Sequence, residues 1–265
     1  MSILQGYERR TFHVPRYLEA VRRAAQRAGF LVDDIGPRAL PFPMLVLKRS
    51  TPTPKATLHL SAGMHGDEPA GPLALLRMLR AGAFPSDLSY VIFPLLNPVG
   101  TAANRRENGD RLDINRDYNC FRTPEARAHV AHLKSLPRRF DLSINLHEDW
   151  EAKGCYIYEV NPDRECSIAP SVLAGANAHI PVDCSPLIDG SPAEQGIIRP
   201  TPETRRALLG DSWPETLYMI NHHTRHSYTF ETPSNTNLGP RISAQCAAVY
   251  AAFKALIENG EWFEI

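Results

Sequence analysis

Neither sign of charge is in excess, long apolar runs are missing and cysteine is scarce, and each absence removes a class of protein. Lys+Arg and Asp+Glu both number 29, giving a formal net charge of +0 at pH 7. No net field recruits a polyanion, so neither a nucleic acid nor an anionic membrane face is expected as a partner. No stretch of about 18 apolar residues occurs, and the start Met-Ser-Ile-Leu-Gln-Gly-Tyr-Glu-Arg-Arg lacks the apolar segment of a secretory signal. The expectation is a soluble cytoplasmic protein. The five cysteines, Cys120, Cys155, Cys166, Cys184 and Cys246, are odd in number and show no C-x-x-C spacing. They read as free thiols, which disfavours a disulfide framework and a thiolate zinc site. What is present is ordinary: hydrophobic residues at 43% and charged residues at 22% of 265 exclude a disordered, collagen-like or coiled-coil chain. The length suits one α/β domain, here 1–265, with 1–50 read as an N-terminal helix and strand extension.

Periodicity supplies a coarse map. Residues 16–28 carry Tyr17, Val21, Ala24 and Ala28 on one side of a peripheral helix, and Gly29 stops it. Short apolar runs at 44–48 and 56–60 predict a strand, a turn and a buried strand. A helix over 71–81, a buried strand over 90–96 and a polar, arginine-rich loop over 97–119 follow. Next come a helix over 125–136, strands over 140–147 and 155–160, a strand over 227–231 and a closing helix over 244–258. The Pro-rich stretch 161–225 shows no clear elements. Alternating strand and helix predict a three-layer α/β/α domain with a mixed, centrally parallel sheet.

In open α/β sheets ligands bind beyond the carboxyl ends of the strands, so the groups found there matter. His65 and Glu68 follow the strand at 56–60, in Ser-Ala-Gly-Met-His-Gly-Asp-Glu-Pro-Ala. His147 ends Phe-Asp-Leu-Ser-Ile-Asn-Leu-His, and Glu231 ends Ser-Tyr-Thr-Phe-Glu. An imidazole and a carboxylate three residues apart, with a third ligand from a distant strand, would suit a catalytic Zn2+ that keeps one position open for water. His-x-x-Glu alone is weak, since a chain with ten histidines produces it by chance. Alternation on the last strand puts Thr229 beside Glu231 at the cleft and Tyr228 in the core.

His65-Gly-Asp-Glu68, Asn97-Pro98, the run from Arg106 through Asn108 to Asp113-Ile-Asn115-Arg116, Pro124-Glu125, His147 and Phe230-Glu231 occur in that order. In this the chain resembles the zinc carboxypeptidase family of the carboxypeptidase A type, from about residue 56 to residue 258. With 79 positions separating Glu68 from His147, the layout is similar to the compact bacterial peptide amidases of that family. The resemblance implies a carboxypeptidase-like, phosphorylase/hydrolase-like fold and one Zn2+ per chain held by His65, Glu68 and His147. It implies that Asp113 orients His65 and that Arg106 faces the oxyanion. It further implies that Asn115 and Arg116 dock the substrate's carboxylate and that Glu231 acts as the base. The implied activity is hydrolysis of an amide next to a free carboxylate in a small peptide or amino-acid-derived substrate.

The pattern also departs from that family. Its substrate-capping tyrosine has no counterpart in the neighbourhood of Arg205, Arg206, Leu208, Leu209 and Gly210, where the nearest tyrosine is Tyr218. Val99 stands where an aspartate is common, and no pro-segment is expected ahead of the domain. The aspartoacylase and succinylglutamate desuccinylase type shares His-x-x-Glu, an Asp-x-Asn-Arg run, a later histidine and a late glutamate, so a deacylase of N-acyl amino acids is the alternative. Against it, only about one helix follows Glu231. A non-catalytic carboxylate-binding module is the second alternative, disfavoured because no ligand or base is missing. Among the remaining residues, His222, His223 and His226 read as surface or rim and His129 and His132 as a solvated helix face. Glu148, Asp149 and Glu151 either tune the site or form an exposed turn, and Cys155 reads as a core thiol.

Overall fold

Strand alternation decides how the two faces of the sheet are used. A computed structural model of the chain describes residues 12–136, 139–161, 167–201, 203–204 and 212–258. Four parallel strands form its centre in the order β4 (Leu88–Phe93), β3 (Ala56–Ala62), β5 (Leu142–Asp149), β10 (Ser227–Pro233). Antiparallel β2 (Leu45–Arg49) and β1 (Leu31–Asp34) continue the sheet beyond β4. Beyond β10 come antiparallel β6 (Tyr156–Val160) and then the short β9 (Ile197–Ile198), β8 (Ser191–Glu194) and β7 (Leu187–Ile188). Leu58, Leu60, Leu142, Ile144, Leu146, Tyr228 and Phe230 point to one face. There they pack under α1 (Val14–Arg27), α2 (Ala70–Ala81), α5 (Ala169–Asn177) and α7 (Leu238–Glu258). Burying each such side chain is worth about 1.5–3 kcal/mol.

The alternate residues of the same strands are polar: His59 and Ser61 on β3, Ser143 and Asn145 on β5, Ser227 and Thr229 on β10. That face is covered by α4 (Pro124–Ser135) and α6 (Glu215–His222), whose Val130, Leu133, Tyr218 and Met219 join Val91 and Phe93 in a second apolar cluster. The result is the three-layer α/β/α arrangement with a mixed, centrally parallel sheet. Among the described residues no helix is long and apolar enough to cross a membrane.

Most expected elements are present, and the differences have physical causes. The strand expected at 90–96 ends at Phe93, because Pro94 has no N–H to continue the ladder. The loop 97–119 contains a short helix, α3 (Pro98–Ala102), and a 3₁₀ turn at Ile114–Arg116. The stretch 161–225 holds α5, α6 and the strands β7 to β9, two of which are only two residues long and leave no period to read. The solvated helix face expected for His129 and His132 is corrected: His129 is fully buried and His132 half-buried, since α4 turns that side toward Phe93. Cys155 is a buried thiol whose pKa burial pushes up to about 12, in keeping with a core role. Cys166 and the neighbourhood 205–210 lie outside the described residues, and Tyr218 packs in the core against Tyr118.

The N-terminal helix is tied down by one hydroxyl. Tyr17 on α1 is buried, and its OH lies 2.9 Å from the Pro72 carbonyl oxygen and 3.0 Å from that of Pro94, so one phenolic hydrogen serves the start of α2 and the end of β4. Tyr17→Phe leaves the ring in place but removes the donor. It should lower unfolding free energy by about 1–2 kcal/mol in urea titration with the m-value unchanged; equal stability would show that these contacts carry nothing.

Candidate active site

Two glycines shape the loop after β3. Gly63 adopts φ +64, and a Cβ on it would stand 2.5 Å from Leu95 Cδ1. A Cβ on Gly66 would lie 2.1 Å from the carbonyl carbon of Gly100, so the loop presses onto the backbone of α3 as only glycine allows. Asn97 caps α3, accepting from Gly100 N at 2.8 Å, while its Nδ2 donates to the Arg106 carbonyl at 3.1 Å. Asn108 accepts from the amides of Asp110 and Leu112 and donates to Glu125 at 2.9 Å. Several motif positions are therefore scaffolding for the loop that carries Arg106 and Asp113.

That scaffolding brings His65, Glu68 and His147 together, all three buried. Glu68 Oε1 lies 2.5 Å from His65 Nδ1, Glu68 Oε2 lies 2.9 Å from His147 Nδ1, and the two Nδ1 atoms are 3.3 Å apart. Zinc bound at about 2.0–2.1 Å sets tetrahedral N and O donors about 3.3 Å from one another, which the two imidazole nitrogens match; Glu68 stands at hydrogen-bond distance from both, and two imidazoles with one carboxylate are donor types that zinc takes. The far nitrogen of His65, Nε2, is 3.4 Å from Asp113 Oδ1. Asp113 also accepts from Arg106 Nε at 2.9 Å and from Asn115 N at 2.8 Å, the latter as the cap of the 3₁₀ turn. Arg106 is partly exposed, with Nη1 at 3.3 Å from His65 Nδ1. Asn115 is nearly buried, its Oδ1 accepting from Glu215 N at 2.9 Å, and Arg116 is exposed beside it.

Glu231 reaches the same cavity from β10, where parallel pairing sets it opposite His147. Its Oε2 is buried without a hydrogen-bond partner. Burial, reinforced by the charges of Glu68 and Asp149 and opposed by His147, holds the Glu231 carboxyl above the usual carboxylate range. Burial would also raise Glu68, but His65 and His147 hold it well below that range. For His65 burial is outweighed by Glu68 and Asp113, which carry the imidazole up to about 9.

The cavity encloses about 540 Å3, and all eight residues singled out in the sequence line it or touch those that do: His65, Glu68, Arg106, Asn115, Arg116, His147 and Glu231 line it directly, with Asp113 behind His65 and Arg106. Thr229 lines it as well, while Tyr228 points to the core. The far wall was missed. It consists of Tyr156, Tyr158 and Val160 on β6 with Asp189 from the turn between β7 and β8. Every-second-residue spacing puts the three β6 residues on one face, but it does not say that this face lines a cavity. Tyr158 OH donates to Asp189, and Tyr156 OH to Asp149 at 3.0 Å. Glu148 is no exposed turn residue but a buried end of β5, accepting from Ala70 N at 2.7 Å and paired with Arg241. Of the other histidines, His222 is exposed, His223 half-buried and His226 buried.

Comparison with known proteins follows the same lines. Residues 54–184 match the family described as the Succinylglutamate desuccinylase/Aspartoacylase catalytic domain. The carboxypeptidase SOL1 of Arabidopsis thaliana is 30% identical over 105 residues, which is 32% of this chain and 21% of that protein, so the chain spans about a fifth of that relative's length. A provisionally assigned metallopeptidase of Shewanella amazonensis superposes with a TM-score of 0.78 at 23% identity, over 92% of this chain and 93% of its own. A metallo-carboxypeptidase of Burkholderia cenocepacia gives 0.68 at 16% identity, over 92% of this chain and 68% of its own. The resemblance read from the sequence thus holds at the level of the fold: this chain has the carboxypeptidase-like α/β fold, and its residues 54–184 are similar to the desuccinylase and aspartoacylase catalytic domain.

Proposed function

We propose that this chain is a zinc-dependent hydrolase cleaving an amide whose leaving amine carries a free carboxylate. The observation that carries this reading is the pairing of β5 with β10, which sets a buried carboxylate with a partnerless oxygen beside the third member of a His-Glu-His donor set. His65, Glu68 and His147 would hold one zinc ion, which when bound supplies a Lewis acid and brings the pKa of water to about 7.

The chain's own groups do the rest. Glu231 takes a proton from the attacking water at Oε2 and hands it to the leaving nitrogen. A carboxylate lifted toward neutrality by burial is a better base for that step than an exposed one. Arg106, clamped through Nε by Asp113, faces the charge that develops on the carbonyl oxygen, and loss of such a group costs roughly 10²-fold to 10³-fold in rate. Arg116 offers its planar fork to the substrate's carboxylate, with the Asn115 amide beside it. A metallocarboxypeptidase or peptide amidase meets this description. So does a deacylase of N-acyl amino acids, and the match of residues 54–184 to the desuccinylase and aspartoacylase domain favours that second reading.

Glu231→Gln tests the mechanism. Assayed on peptides with varied C-terminal residues and on N-acyl amino acids, it should lose about 10³-fold or more in kcat with zinc content unchanged by mass spectrometry. Full turnover would remove Glu231 from the chemistry. Asp113→Asn should weaken zinc affinity by about 10- to 100-fold in a competition titration with a chelator. Unchanged affinity would show that Asp113 does not orient a ligand.

A further inference from the structure

The polar face of the sheet holds a second convergence of donors, apart from the cavity and unused by the proposed reaction. His59 lies on β3, His129 on α4 and Glu215 at the first turn of α6, and all three are fully buried. Glu215 Oε1 stands 3.6 Å from His59 Nε2 and 3.9 Å from His129 Nε2. Each of these three atoms is buried and lacks a hydrogen-bond partner. The other ends of the same side chains are held: His59 Nδ1 lies 2.9 Å from Ser143 Oγ, His129 Nδ1 lies 2.7 Å from Tyr118 OH, and Glu215 Oε2 accepts from Ser61 Oγ at 2.8 Å. The held ends aim the three orphan atoms at one point, and the donor atoms of the group lie within 4.8 Å of one another.

Buried polar atoms without a partner are destabilising, a buried carboxylate oxygen most of all. The three atoms leave room for one shared partner at the point between them. Direct hydrogen bonds are ruled out at these separations. A water about 2.8 Å from each would spread its tetrahedral partners to about 4.6 Å. Zinc at about 2.0–2.1 Å draws them to about 3.3 Å. The separations of 3.6 and 3.9 Å lie closer to the metal value.

We infer that His59, His129 and Glu215 form a second, structural site for a divalent cation of the zinc class, distinct from the His65, Glu68 and His147 set. Such an ion pins α4 and α6 to β3 and neutralises Glu215. Because Glu215 N also donates to Asn115 Oδ1, it fixes one wall of the cavity from below. Both ligand histidines are wholly enclosed, so the ion enters as the chain folds.

Full-length protein refolded with zinc and desalted should carry two zinc per chain by mass spectrometry. His147→Ala should keep one, and X-ray absorption on that variant should show two imidazoles and oxygen in the remaining shell. His147→Ala/Glu215→Gln should keep none while holding its circular dichroism spectrum. A folded His147→Ala protein without metal would overturn the second site while leaving the first intact. A retained ion whose shell lacks two imidazoles would overturn it as well, and this reading does not depend on the Glu215 variant folding. Zinc missing from wild type at the first site only, with one ion lost on Glu215→Gln, would support the buried site and sink the hydrolase reading instead.

Discussion

The site rests on how β10 lies against β5. Their parallel pairing runs without a slip from Ser227 opposite Ser143 to Pro233 opposite Asp149. A shift of one residue would turn Glu231 into the apolar layer that holds Phe230 and Tyr228, and would expose those rings to the polar side. Both errors are costly, so the hydrophobic pattern that fixes the register also fixes the distance between the candidate base and the candidate ligands. The end of β5 is pinned from the opposite face too. Glu148 takes the amide of Ala70 and the guanidinium of Arg241, and Gln245 on α7 donates to the His147 carbonyl at 2.8 Å. A buried ion pair is weak evidence for stability, but here it orients the strand at the residue that follows His147.

The ends of the central strands were legible because chemistry and position coincide there. His65, His147 and Glu231 each follow a run whose apolar residues announce a buried strand, and a polar group in that setting stands out. Arg106, Asp113, Asn115 and Arg116 sit in a loop without periodicity, and only the order of motifs singled them out. The β6 wall was hidden by a different cause. Tyr156 and Tyr158 look like core aromatics, and nothing local shows that the strand pairs with β10 and faces a cavity. His129 was misread for the opposite reason. Arginine and lysine on α4 suggested a wet helix, while the side bearing Ala126, His129 and Val130 is buried against the sheet.

The carboxypeptidase and the deacylase readings proposed above make the same demands on this scaffold. Either would use a water, a base within reach and a cationic anchor for a carboxylate, and the residues proposed for those parts sit on two strands and two loops. Neither reading draws on the far wall, where the Tyr156 phenol donates to Asp149 and the Tyr158 phenol to Asp189.

Chain order gives the parallel sheet a temporal meaning. Glu231 lies 84 positions after His147, and among the described residues β10 is the last strand of the sheet in sequence, set between β5 and β6, both of which precede it in the chain. During synthesis the residues proposed to hold zinc are therefore complete long before the proposed proton carrier emerges. If the proposed roles hold, the donor set precedes its base in order of synthesis, and the site is complete only when the sheet closes.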